Sequence, residues 1–227
     1  MSEQSHISSE IERLHRELRP YGAELVAVSK FHPVEALREA YGAGQRIFGE
    51  SRAQELTGKI PLMPDDVRWH FIGHLQTNKV RQIVGRTSLI ESVDSIRLLE
   101  CIDNEAHRAG VVAKVLMQLH VAAEETKTGF SPQELLDYFE RQQYTTLKAV
   151  HLCGVMGMAS NTDDTARIRA DFHAIRAVFD AIRAGAPADF RGFDIVSMGM
   201  SSDWRIALDE GSNMVRIGTD IFGPRQY

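Results

Sequence analysis

Eight apolar, β-rich runs alternate with amphipathic helical stretches along the chain, and this alternation limits the fold more than any other feature. The runs are 25–30 (LVAVSK), 46–50 (RIFGE), 67–73 (VRWHFIG), 87–93 (TSLIESV), 113–122 (AKVLMQLHVA), 146–159 (TLKAVHLCGVMGMA), 193–199 (FDIVSMG) and 214–218 (MVRIG). They are apolar throughout rather than alternating, as strands of a parallel sheet covered on both faces must be. Every run but the last is followed by a helical pattern. Pro33 suits the first turn of one such helix, Gly42 and Gly44 its end, and another is expected from about Gln76 to Val84. Ser131, Pro132 and Glu134 form a capping-box start for a third.

With a helical N-terminal segment ahead of them, eight βα units predict an α/β chain of the (β/α)8 TIM-barrel type with an extra N-terminal helix. A doubly wound open sheet is the alternative. About 25 residues per unit is compact for this barrel and allows little elaboration. No Pro/Gly-rich linker interrupts the pattern, so 1–227 is expected to be a single domain.

The net charge of -5 argues against non-specific nucleic-acid binding, which needs a basic face against phosphate. No apolar run approaches the ~20 residues that cross a bilayer, and the polar N-terminus does not read as a signal peptide. A cytoplasmic protein is expected, with Cys101 and Cys153 as reduced, buried thiols.

In such barrels chemistry sits where the strands end. That selects Lys30, then Glu50 and Ser51, His74 and Asn78, Met156 to Met158, Met200 and Ser201, and Gly218 and Thr219. SMGMSSDW (197–204) runs from a strand through a glycine and serines into a helix, and RIGTD (216–220) adds backbone donors and a hydroxyl. Loops after the seventh and eighth strands form the recurrent phosphate cradle of this barrel. The lesser alternative is that Ser201 and Ser202 are only helix caps. Lys30 is either a solvated strand-end charge or an amine whose pKa a pocket lowers, able to form a Schiff base with a phosphorylated aldehyde or ketone. Arg216, inside a short apolar strand, needs a polar partner, either a carboxylate in the barrel or a ligand atom.

AVSK (27–30), FGES (48–51), WHFIGHLQTNK (69–79), ETKTGF (125–130), SMGMSSDW (197–204) and MVRIGTDIFGPR (214–225) together resemble the pyridoxal phosphate homeostasis protein family, single-barrel relatives of the alanine racemase N-terminal domain. The resemblance implies that Lys30 carries pyridoxal 5'-phosphate (PLP) as a Schiff base. Ser201, Gly218 and Thr219, with the Met200 backbone, would hold its phosphate, and Arg216 would face the pyridine nitrogen. The loop from Met156 to Met158 would line the cofactor. Where the family has Phe-Gly-Glu-Asn this chain has Ser51, which lacks an amide donor and puts any cofactor contact there in question.

The resemblance also implies a carrier that buffers PLP and hands it transiently to apo-enzymes, with little or no catalysis. The competing reading is a PLP-dependent amino-acid racemase or decarboxylase; a third, without PLP, is a Schiff-base aldolase acting on a sugar phosphate. A two-base racemase needs a second acid/base opposite the lysine. Tyr21 and Tyr144 precede strands and Tyr41 and Tyr138 fall in helical stretches, so only Tyr227 is placed to reach the mouth. His74, Glu50 and Cys153 are the other candidate bases. Nothing suggests a partner-completed site, so a monomer is expected.

Overall fold

The computed structural model describes residues 5–124, 128–187 and 190–224. Glu125 to Lys127 of the ETKTGF motif, Arg225 and Tyr227 lie outside the described residues. Eight strands, β1 (Glu24–Val28), β2 (Ile47–Glu50), β3 (Arg68–Phe71), β4 (Leu89–Val93), β5 (Ala113–Leu119), β6 (Val150–Gly157), β7 (Ile195–Ser197) and β8 (Met214–Ile217), close into a barrel in sequence order. Every neighbouring pair is parallel, and β1 completes the ring on β8 from Glu24 opposite Met214 to Ala27 opposite Ile217.

Helices follow each strand: α2 (Val34–Gly42), α3 (Ala53–Lys59), α4 (Val80–Ile83), α5 (Ile96–Ala109), α6 (Pro132–Glu140), α7 (Thr165–Gly185), α8 (Trp204–Asp209) and α9 (Thr219–Phe222). The expected N-terminal helix is α1 (His6–Leu18), which buries Ile11, Leu14 and Leu18, one stripe at helical spacing. No helix among the described residues is long and apolar enough to cross a membrane.

Strand alternation divides the core into two layers. Leu25, Ala27, Phe48, Trp69, Val155 and Val215 belong to the layer under the helices. Val26, Ile47, Leu89, Leu116, Cys153, Met156 and Met214 fill the barrel interior. Cys153 is therefore a buried apolar filler, whereas Cys101 is only partly buried; both are free thiols.

Local chemistry moved several boundaries. The run 146–159 yields a strand only from Val150, because Asp103 of α5 accepts the Lys148 and Ala149 amides at 2.9 and 2.7 Å and fixes the chain ahead of it. The stretch before Val150 instead contains a 3-10 turn, Gln143–Thr146. The helix expected from Gln76 to Val84 is a 3-10 turn, Thr77–Lys79, running into the short α4. A helix, α9, does follow the last strand, ending at Gly223, whose φ is 79°. Gly154 supplies the register shift in β6: its φ is 150°, and a Cβ there would run into the Ile195 carbonyl.

Candidate functional site

Strand parity carries Lys30 to the barrel mouth. Val26 faces the interior, so Val28 and Lys30 continue that face upward, and both line a cavity of about 630 Å³ above the interior layer. Ser51, Ile72, Met158, Met200, Ser201, Arg216, Gly218 and Thr219 also line it. The chain leaves the mouth through a turn closed by the His32 amide donating to the Ser29 carbonyl at 3.1 Å. Phe31 in that turn has a φ of 68°.

Glu50 is not at this mouth. It shares the outward parity of Phe48 and is fully buried against α3, where it accepts hydrogen bonds from Lys59 Nζ at 2.8 Å and Ser29 Oγ at 2.6 Å. Burial pushes its carboxyl pKa up, although Lys59 pulls it down. Its neighbour Ser51 lines the 630 Å³ cavity and also a second one of about 580 Å³, whose wall includes Arg52, His74 and Lys79. His74 there is 2.8 Å from Asp94.

Two strands from β1 around the ring, Gly199 (φ 99°) lets β7 turn sharply onto α8; a Cβ would press on Trp204 Cα at 2.9 Å. Met200 lines the cavity, but its backbone is already committed: the amide donates to Asp203 Oδ1 at 2.6 Å, and the carbonyl accepts from the Asp203 and Trp204 amides at 3.0 and 2.9 Å. That leaves Met200 no amide to offer an anion. Ser201 Oγ accepts the Gly218 amide at 3.4 Å, tying the two loops together. The amides of Ser201, Ser202, Thr219 and Asp220 donate to no described protein acceptor. Together with the Ser201 and Thr219 hydroxyls they form a set of donors suited to an anionic oxygen group.

Arg216 reaches the cavity from the interior and is held by a buried polar chain. Its Nη1 donates to Ser197 Oγ at 2.6 Å and its Nη2 to the Gly157 carbonyl at 3.0 Å. Ser197 Oγ donates to Glu91 Oε2 at 2.6 Å, and Glu91 Oε1 lies 2.7 Å from His70 Nδ1. Glu91 is also 3.8 Å from Arg216, so both of the partners anticipated for the arginine, a barrel carboxylate and a ligand-facing cavity, are present. Burial raises the Glu91 carboxyl, but His70, Arg216 and Ser197 outweigh it and hold the group below the usual carboxylate range.

Met156 does not line the cavity; it is packed in the interior layer, and Met158, two residues on, takes the place at the mouth. His32, two positions after Lys30, and Asp220, the last residue of the RIGTD run, line the cavity too. Of the candidate bases, Cys153 lies in the interior layer, Glu50 behind β2, and His74 in the second cavity. None of Tyr21, Tyr41, Tyr138 and Tyr144 lines the 630 Å³ cavity.

The alanine racemase N-terminal domain family matches residues 3–226. A pyridoxal phosphate homeostasis protein of Aquifex aeolicus is 37% identical over 211 residues, covering 90% of this chain and 88% of the relative. One from Schizosaccharomyces pombe is 38% identical over 206 residues, covering 88% and 84%. Among solved structures, PipY of Synechococcus elongatus without PLP superposes with a TM-score of 0.89 at 37% identity, covering 96% of this chain and all of that one. The same protein with PLP bound gives a TM-score of 0.85.

Proposed function

The chain belongs to the alanine racemase N-terminal domain family, among the pyridoxal phosphate homeostasis proteins, and from that footing we propose that it binds PLP at Lys30 as a Schiff base and buffers or delivers it with little or no catalysis. The observation that carries this reading is the make-up of one cavity. An amine (Lys30), a set of anion donors (Ser201, Ser202, Thr219), a fixed cation (Arg216) and apolar walls (Val28, Ile72, Met158) all face the same 630 Å³. That set fits a phosphorylated aromatic aldehyde in kind and in size.

PLP, when bound, supplies an aldehyde and an electron-withdrawing ring. Lys30 would supply the amine that joins the aldehyde carbon, with water as the other product. Ser201, Thr219 and the adjoining amides would hold the phosphate, while the Met200 amide stays with Asp203. Arg216, which Glu91 and Ser197 keep in place, would present a permanent positive charge to the ring and so disfavour a proton on its nitrogen. An unprotonated ring would be a weaker electron sink, which suits holding over catalysis. Of the groups weighed as a second base, Cys153, Glu50 and His74 stand away from the cavity, which supports the carrier reading over the racemase or decarboxylase, although His32 and Asp220 do line it. The same reading takes the protein as a cytoplasmic monomer that meets apo-enzymes only transiently.

Borohydride reduction of PLP-saturated protein, followed by peptide mass mapping, tests the attachment. A pyridoxyl adduct on Lys30 is expected, and its absence would sink the reading. Transfer of PLP to an apo-enzyme without exchange of amino-acid α-protons into solvent then separates the carrier from a racemase. Light scattering on a sizing column tests the monomer.

A further inference from the structure

Lys30 is a long, flexible side chain at a strand end, where backbone is ordinarily least constrained. Here the backbone on both sides of it is pinned from behind the barrel. Lys30 and Phe31 are the central pair of the turn that the His32 amide closes onto the Ser29 carbonyl. A turn with positive φ at its third residue ordinarily places glycine there, and this one places Phe31 at 68°. A bulky residue persists in that region only where its surroundings over-determine it.

The surroundings that do so come from α3. Glu55 Oε1 accepts the Phe31 amide at 2.6 Å, and the Arg52 guanidinium lies over the Phe31 ring, 4.7 Å from its centroid. Lys59 Nζ donates to the Ser29 carbonyl at 2.8 Å. The same ammonium binds Glu55 Oε1 at 2.7 Å and Glu50 Oε1 at 2.8 Å, so the ties before and after Lys30 meet in one cluster, in which Glu50 and Lys59 are buried and Glu55 partly so. Ser29 Oγ adds a third tie to Glu50 at 2.6 Å. None of Glu50, Glu55 and Lys59 lines the cavity that Lys30 enters.

We propose that Glu55 and Lys59 are positioning residues for Lys30: they lock a strained turn so that its amine is presented to an aldehyde-bearing ligand in the cavity. The proposal deepens the PLP reading and rests on it for the identity of the aldehyde. The bond that forms is Lys30 Nζ to the aldehyde carbon, with water as the product, and the cluster takes no part in the proton transfers. Its contribution is to keep the amine at the cavity rather than in solvent.

The test compares Glu55→Ala, which removes the acceptor for the Phe31 amide, with Glu55→Gln, which retains one. Two readouts on the full-length protein should move in opposite directions. The rate at which borohydride traps a pyridoxyl adduct on Lys30 should fall about tenfold in Glu55→Ala, since small misplacements of a reacting group are costly. Acetylation of Lys30 by acetic anhydride in PLP-free protein, measured against the exposed Lys114 and Lys148 in the same digest, should rise about threefold as the amine swings outward. Glu55→Gln should restore both. Unchanged Lys30 acetylation and trapping in folded Glu55→Ala would overturn the proposal. If wild-type protein formed no adduct while the acetylation still responded, the PLP reading would fall and the positioning role would stand. Should Glu55→Ala not fold, hydrogen exchange at the Phe31 amide of the wild-type protein decides. Strong protection supports the clamp, and exchange at the rate of an open loop refutes it.

Discussion

The barrel interior offers the sharpest energetic test, at Glu91. Glu91→Ala removes the acceptor of Ser197 Oγ at 2.6 Å, the partner of His70 at 2.7 Å, and a charge 3.8 Å from Arg216. At an effective dielectric constant of 20 the Glu91–Arg216 attraction is about 4 kcal/mol, and a hydrogen bond to a charged acceptor adds about 1.5 to 3 kcal/mol. Against this stands the recovered cost of burying the carboxylate, so the net loss expected on deleting one partner is about 3 to 5 kcal/mol. Glu91→Gln keeps one acceptor and the shape and should cost roughly 2 to 4 kcal/mol.

Urea unfolding of PLP-free protein reads this directly. With a slope near the upper end for small proteins, about 3 kcal/mol per M, the Glu91→Ala midpoint should fall by about 1 to 2 M. Arg216→Met combined with Glu91→Gln should be less damaging than the two losses added, by about 1 to 3 kcal/mol, because no charge is then left without its partner. The pH dependence has a definite sign. The folded-state pKa of Glu91 lies below its ordinary value of 4.5, so its contribution is complete above that value and is lost as pH falls through the folded one. Glu91→Gln should lack that part of the acid destabilisation. A Glu91→Ala midpoint within about 0.3 M of wild type, or strict additivity with Arg216→Met, would refute the view that this chain of groups is what holds Arg216.

Gly154→Ala places a methyl against the Ile195 carbonyl at a φ of 150° and should cost more than about 3 kcal/mol, or prevent folding, as thermal unfolding will show. Asp103→Ala strands the Lys148 and Ala149 amides and should lose about 2 to 3 kcal/mol in chemical denaturation, with Asp103→Asn recovering part because a carboxamide oxygen still accepts. Ser201→Ala should weaken PLP binding about tenfold in a fluorescence titration and, because it strands the Gly218 amide, lower PLP-free stability by about 1 kcal/mol.

The fold was legible because a barrel of parallel strands writes itself as repetition: eight continuous apolar runs admit few other packings. The mouth was legible through the two-residue period of a strand. Once Val26 is interior, Val28 and Lys30 follow, and once Met214 is interior, so are Arg216 and Gly218. The same period also speaks against Glu50, since Ile47 faces inward and Glu50 is three residues along. Selecting residues by nearness to a strand's end, without parity, is what admitted it. Met156 and Met158 share parity and differ only in height. Height in β6 is set by where the strand begins, and that depends on Asp103, 46 positions before Ala149.

The groups that hold the site in place lie beyond any local signal. Glu91 and Ser197 are 106 residues apart and meet only because β4 and β7 face one another across the closed barrel. Lys59 sits at the end of α3, where a basic residue in the last turn is ordinarily a response to the helix dipole, and nothing nearby in the chain marks it as buried. It is buried because Ser29 and Glu50, both on the outward face, leave polar groups under α3 that an apolar side chain would strand. Inward positions of the strands therefore decide what the cavity can bind. Outward polar positions decide how firmly the binding amine is held, and only the assembled helices reveal that they do so.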